Sequence, residues 1–282
     1  MANNTRDIKQ GYRSCDALPQ LMIRTTYNSS KSYKAHSHAS LSLGIIEAGQ
    51  TCLSVRNRHI ILNPGEMVLI PPHLVHACNP VQHLPRSYHM LYIDQQWCRD
   101  VLAEVHQQKV THFTCETEPL SFTGKINSLP DVIRTLIRKE GSVDISQADA
   151  MLRFIVQSYC FPSPDDKNDS TAFRVRDWLQ EQIEDPPSID EIARQEMMTQ
   201  ESVIRSFKRS FGITPRAFLN NCRVEKAKSL LRDGMNIADV ALEVGYSDQS
   251  QLHKAFVSYT ASTPGQYQNI CSPDRRSISD NN

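Results

Sequence analysis

A stretch near the C-terminus occurs twice, and that repetition constrains the fold more than any other feature of the chain. Residues 199–207 read Thr-Gln-Glu-Ser-Val-Ile-Arg-Ser-Phe and residues 248–256 read Asp-Gln-Ser-Gln-Leu-His-Lys-Ala-Phe, an offset of 49 (248 minus 199). The same ending follows each copy: Thr214-Pro215 with Phe218, then Thr263-Pro264 with Tyr267. An apolar pair precedes each, Ile192-Ala193 and Val240-Ala241. In both copies a capping residue leads, an apolar residue stands four positions on, a cation two later and a phenylalanine two beyond that. This spacing predicts a helix with an apolar inner face and a polar outer one. Two such units, each preceded by a short helix, read as two helix-turn-helix modules, an arrangement that places a helix in the DNA major groove.

In the second module the first helix is expected over Ile237–Val244, the turn at Gly245 and the second helix over Asp248–Tyr259. Glycine suits a turn that needs positive φ at a helix end. Leu252 and Phe256 face inward, which leaves Gln249, Ser250, His253 and Lys254 for DNA. In the first module Ile189, Ile192, Val203 and Phe207 supply the core, and Glu201, Ser202 and Arg205 face outward. Met197 stands where the second copy has Gly245, and a left-handed methionine costs about 1 kcal/mol. Thr214 and Pro215 begin a long helix through about Leu231 that would join the modules. A helical module for protein contacts is the rival reading, but it gives no reason for the repeat or for the paired cations Arg205 and Lys254.

Thirty-one basic and thirty-one acidic residues cancel, which argues against a uniformly basic nucleic-acid binder. The layout is uneven, however. Asp177, Glu181, Glu184, Asp185, Asp190, Glu191 and Glu196 precede the first recognition segment, and Arg205, Lys208, Arg209, Arg216, Arg223, Lys226 and Lys228 follow it. Such a stripe serves phosphates while the whole stays neutral. Eight cysteines stand apart without a CxxC pair, as in reduced cytoplasmic thiols. No run approaches the roughly eighteen apolar residues of a membrane span.

Residues 172–268 resemble the DNA-binding domain of AraC-type transcription regulators. The likeness rests on Gly245-Tyr246-Ser247-Asp248-Gln249-Ser250, then Lys254, Phe256, Thr263-Pro264 and Tyr267. Lys254 departs from the family's usual arginine, so a point charge replaces a planar fork that can grip guanine.

Residues 1–20 read as a flexible arm. From about 21 to 96 short apolar runs alternate with turn signals: Leu41–Ile46, Cys52–Arg56, His59–Leu62 and Met67–Ile70, punctuated by Asn63-Pro64-Gly65 and Pro71-Pro72. Short strands at this spacing predict an antiparallel sandwich or barrel. Segments 97–108, 124–138 and 146–160 carry helical spacing and form a support or dimerisation region over 97–161. A polar, proline-containing linker follows at 162–171, and a tail occupies 269–282. His59, His73, His83 and His89 read as surface or loop residues. Arg56 and Arg86 would pair with an anionic effector if they pointed inward, but exposure is the ordinary state of arginine.

His36-Ser37-His38 puts two imidazoles on one face of a strand, because side chains alternate, and His76 follows Pro71-Pro72. The pattern is similar to the half-motifs of cupin barrels, whose histidines and glutamate hold a metal, and AraC-type regulators often carry a cupin-like sensor. The expected carboxylate position holds Ser42 and Leu43, and Glu47 is the nearest acid. Three readings stay open: His36, His38 and His76 bind a divalent metal such as zinc with an open fourth position; together with Glu47 they contact a small-molecule effector; or they are structural.

The expected molecule is an α+β chain: an N-terminal cupin-like barrel with flanking helices and a C-terminal all-α double helix-turn-helix domain. The expected function is sequence-specific DNA binding under control of a small-molecule effector, with no catalytic residues. The resemblance implies double-stranded DNA, a homodimer and, for an activator, RNA polymerase as partners, without a membrane. The alternative is a metal-dependent cupin enzyme with an accessory helical domain.

Overall fold

The computed structural model describes residues 9–138, 144–164 and 170–271. The N-terminal strands are β1 (Lys9–Cys15), β2 (Leu18–Ser29), β3 (Leu41–Ala48), β4 (Thr51–Val55), β5 (Arg58–Leu62), β6 (Glu66–Ile70), β7 (His76–Pro80) and β8 (Arg86–Ile93). Helix α1 (Gln95–His106), the short strands β9 (Phe113–Cys115) and β10 (Pro119–Ser121), and helices α2 (Leu129–Arg138) and α3 (Ile145–Tyr159) follow, with β11 (Cys160–Pro162) pairing back on β9. One sheet runs β1-β2-β8-β3-β6-β10 and faces a smaller one, β5-β4-β7.

Strand alternation sorts the side chains of the larger sheet into two cores. Leu21, Ile23, Leu41, Leu43, Ile45, Leu91 and Ile93 pack outward against α1 to α3, which supply Val101, Leu102, Ile133, Leu152 and Ile155. Ile46, Val68, Ile70, Tyr88 and Met90 face the barrel interior with Leu53 and Val55 of β4. The apolar face of α3 is therefore used inside the chain.

The flexible arm expected over 1–20 needs correcting. Residues 9–15 pair with β2 from Lys9↔Tyr27 onward, and β2 buries Leu18, Leu21 and Ile23. Residues 1–8 lie outside the described residues, as do 165–169 of the expected linker and 272–282 of the expected tail. At the other limit, β10 adds a strand to β6 beyond residue 96.

The C-terminal half is helical: α4 (Thr171–Glu181), α5 (Ile189–Gln195), α6 (Gln200–Phe211), α7 (Pro215–Arg232), α8 (Ile237–Glu243), α9 (Gln249–Thr260) and α10 (Pro264–Cys271). Thr199, Thr214 and Asp248 cap α6, α7 and α9 by accepting backbone N–H bonds. The two turns are the same object. Met198 N donates to Ala193 O and Tyr246 N to Ala241 O, each at 2.9 Å, closing a six-residue loop around a left-handed residue. That residue is Met197 at φ 52° in one copy and Gly245 at φ 81° in the other. Its neighbourhood decides which residue can stand there. Met197 is 93% exposed, whereas a Cβ on Gly245 would lie 2.3 Å from Glu184 O.

Candidate DNA interface and effector pocket

The turns set α6 and α9 so that Val203, Phe207, Leu252 and Phe256 are buried. The opposite faces carry Glu201 and Arg205 on α6 and Gln249, Ser250, His253 and Lys254 on α9, all exposed, with Ser202 half-buried beside its cap Thr199. Neither Arg205 nor Lys254 pairs with an acid among the described residues, which leaves both charges available to phosphate or base edges. The expected basic stripe is shorter than the sequence suggests. Arg223 donates to the carbonyls of Ile183 and Glu184, Lys226 pairs with Glu184 at 2.7 Å, and Lys228 with Glu225 at 2.6 Å. Arg223 and Lys226 tie α7 to neighbouring segments and Lys228 is engaged on its own helix, while Lys208, Arg209 and Arg216 stay outward with Arg205.

The barrel half brings His36, His38 and His76 together, all buried, with one nitrogen of each within 4.8 Å of the others. His36 and His76 exchange backbone hydrogen bonds at 2.8 and 2.9 Å as an isolated bridge, so a single bridge and not a strand sets the rings side by side. Each Nδ1 donates to an acceptor: Lys34 O at 2.6 Å, Leu74 O at 2.9 Å and, for His38, the Glu225 carboxylate at 3.2 Å. Those acceptors fix the tautomer, and each neutral ring keeps its Nε2 lone pair. Burial pushes all three imidazoles down, His76 to about 3, and repulsion from His38 and His76 adds to the effect on His36.

Glu225 belongs to α7, the helix that joins the two helix-turn-helix units. Burial works against its ionised form, but Lys228 and His38 outweigh it and hold the carboxyl well below the usual range. One turn earlier on α7, the buried Asn221 amide accepts from Ser37 N and donates to Ser37 O at 3.0 Å, gripping the peptide between His36 and His38. Beside this contact lies a cavity of about 710 Å³, lined by Met22, His38 and Tyr92 from the barrel, Glu225 and Lys228 from α7, and Tyr267 from α10.

The family of AraC-like ligand binding domains matches residues 19–150, and the helix-turn-helix domain family matches residues 192–270. The chain belongs to the AraC-type transcription regulators. Its barrel is the ligand-binding part and its helical half the DNA-binding part of such a regulator. Among relatives, the uncharacterized HTH-type transcriptional regulator YbfI of Bacillus subtilis is 23% identical over 233 residues, covering 77% of this chain and 80% of that one. The HTH-type transcriptional regulator MtrA of Neisseria gonorrhoeae is 34% identical over 85 residues, 28% of its own length. Among solved structures, ToxT of Vibrio cholerae with an unsaturated fatty acid bound superposes with a TM-score of 0.56 at 13% identity, over 89% of this chain and 95% of that one. That likeness shows a shared fold.

For this AraC-type regulator the structure moves three side chains from their expected places. Glu47 is not with the histidines. It shares strand parity with Leu41, Leu43 and Ile45, so it leaves the barrel on the helix side and meets His89 at 3.3 Å and Arg134 at 3.2 Å. His89, expected at the surface, is buried there. Arg86, expected to be exposed, is buried inside the barrel, and so is Arg24, which the sequence reading passed over. Both arginines occupy strand positions whose parity points inward. Glu225 was beyond reach of any local pattern, because it meets His38 across 187 residues of chain.

Proposed function

We propose that this regulator reads DNA through Glu201, Ser202 and Arg205 on α6 and Gln249, Ser250, His253 and Lys254 on α9. We further propose that its effector occupies the cavity beneath α7, in contact with His36, His38 and His76. One observation carries the coupling: α7 is at once a wall of the cavity, through Glu225 and Lys228, and the strut between the two recognition helices. An effector that favours one seating of α7 over another shifts the recognition helices with it. A homodimer, RNA polymerase contact by an activator, a cytoplasmic location and the lack of a catalytic step belong to the same reading. Membership of the family supports them, and no helix among the described residues is long and apolar enough to cross a membrane. The test is retention of fragmented genomic DNA by the purified chain. A few sharply enriched sites, each with half-elements about one helical turn apart, are expected; diffuse, salt-sensitive retention would sink the reading.

The fixed tautomers favour a second role for the same histidines. Nδ1–H groups held by two carbonyls and a carboxylate are the outer support of a histidine metal site, and three Nε2 atoms then suit zinc with an open fourth position. The rings need to close from within 4.8 Å to the roughly 3.3 Å between nitrogens of a tetrahedral zinc site. We expect the intact chain, dialysed against zinc, to keep about one equivalent and the His76→Ala variant to keep none. Equal metal in both would refute the site. The cupin-enzyme alternative requires, in addition, turnover of a small molecule that is lost in the same variant.

A further inference from the structure

Among the described residues, two arginines lie inside the barrel without a carboxylate to pair with. Arg24 on β2 and Arg86 on β8 are 6% and 2% exposed. Both guanidinium groups sit over the same two rings, at 5.3 and 5.9 Å from the centroid of Tyr33 and 5.6 and 4.7 Å from that of Tyr88. Their partners are neutral. Arg24 donates to the Tyr88 hydroxyl at 3.1 Å, and Arg86 to Cys78 O at 2.8 Å and Thr51 Oγ1 at 3.3 Å. Among the described residues no carboxylate pairs with either, and both Nε–H groups lack an acceptor. The Glu225 carboxylate is committed to His38 and Lys228. A buried ion without a counter-charge is among the costliest groups a fold can carry, and two together are costlier still.

We propose that the effector is a small organic carboxylate whose acid group is held between Arg24 and Arg86. This deepens the reading of the barrel as the effector pocket and rests on it. The strand register places the arginines next to the cavity. Met22 pairs with Tyr92, Arg24 with Met90 and Thr26 with Tyr88, so successive inward-facing rungs lead from the cavity wall into the barrel. Arg24 lies one rung, about 7 Å, inside the residues that line the cavity. A carboxylate there accepts from the free Nε–H groups, in the planar geometry that guanidinium favours, and the body of the molecule rests against Tyr92, His38 and Met22. The molecule's own answer to the charge would be a phenolate. Tyr33 and Tyr88 share a 2.6 Å hydrogen bond, and although burial works to raise the Tyr88 phenol, Arg24 and Arg86 bring it below its ordinary value. One phenolate offsets one guanidinium and leaves the other.

The experiment is thermal unfolding of the full chain, at fixed ionic strength, with benzoate, hexanoate and succinate, and with benzyl alcohol and hexanol as neutral counterparts. At about 10 mM, at least one carboxylate is expected to raise the melting temperature by about 3 °C while the alcohols do not. In Arg24→Met that response is expected to vanish and the ligand-free melting temperature to rise, because an apolar isostere removes an uncompensated charge. Arg24→Lys, which keeps the charge and loses the fork, is expected to retain only part of the response. The proposal is overturned if no carboxylate acts, if the alcohols act equally, or if Arg24→Met responds like the parent. Tyrosinate absorbance near neutral pH corresponding to two phenolates per chain would also overturn it. Genomic-DNA retention by the same preparation reports separately on the regulator, so specific DNA binding without any carboxylate response defeats this inference alone.

Discussion

Replacing Arg205 and Lys254 together with alanine is expected to weaken binding to an enriched DNA site by about a hundredfold or more, with the fold intact. Each removed contact is worth about 1–3 kcal/mol, and the two residues stand on separate helices with no shared partner, so the losses add. Both side chains are exposed and make no ion pair among the described residues, hence stability has no reason to move. Fluorescence anisotropy over a salt series separates their roles. A residue that neutralises phosphate lowers the salt slope by about 1 when removed, and a residue that reads a base changes the preferred sequence instead. Unchanged affinity at physiological salt would remove both from the interface.

Substituting Gly245 by methionine is expected to destabilise the DNA-binding half by about 3 kcal/mol or more, whereas Met197→Gly is expected to stabilise by about 0.5–1 kcal/mol. The two positions have the same left-handed backbone and the same pair of closing hydrogen bonds, so the conformational term is common to both. What differs is space. A Cβ at 245 meets Glu184 O at 2.3 Å and Glu184 Cα at 2.8 Å, and backbone atoms cannot swing aside. The neighbouring Arg223, which ties Ile183 and Glu184 to α7, lies 2.7 Å from the same point. The methionine side chain at 197 is in solvent and loses nothing. Urea denaturation of both variants measures the contrast; equal effects at the two sites would mean that the close approach at Glu184 is not what demands glycine.

Much of the DNA-binding half could be read from the chain, because its signals are local. The caps Thr199, Thr214 and Asp248, the proline at 215 and the four-residue spacing of Leu252 and Phe256 each act within one or two helical turns. Even the methionine in the first turn follows from its alignment with Gly245. The barrel half was legible as short strands but not as a pocket. The run Leu41-Ser-Leu-Gly-Ile-Ile is apolar on both faces, since one packs on helices and the other lines the barrel. Periodicity therefore could not say on which side Glu47 emerges. Arg24 was missed for a related reason: the ordinary expectation for arginine is exposure, and only the register of β2 against β8 turns it inward; for Arg86 the inward alternative was visible but not the choice between the two. The cation stripe was overcounted because three of its members are already engaged: Arg223 by the carbonyls of Ile183 and Glu184, Lys226 by the carboxylates of Glu184 and Glu243, and Lys228 by Glu225 on its own helix.

The two halves do not keep separate interiors. Tyr12 of β1 stacks edge-on against Tyr267 of α10 at 4.9 Å and, with Met22, packs into the core built by α7 to α10, while Ala261 at the end of α9 packs into the core of the barrel. Each half thus completes the other's hydrophobic packing across the same seam that holds the cavity. A chain cut at residues 162–171 would leave apolar residues bare on both pieces, so each fragment gains a tendency to associate through that newly exposed surface. The seam also sets a lower bound on any switch: whatever parts the barrel from α7 must compensate for wetting Tyr12, Tyr267 and Ala261 as well as for breaking the polar contacts at Ser37 and His38.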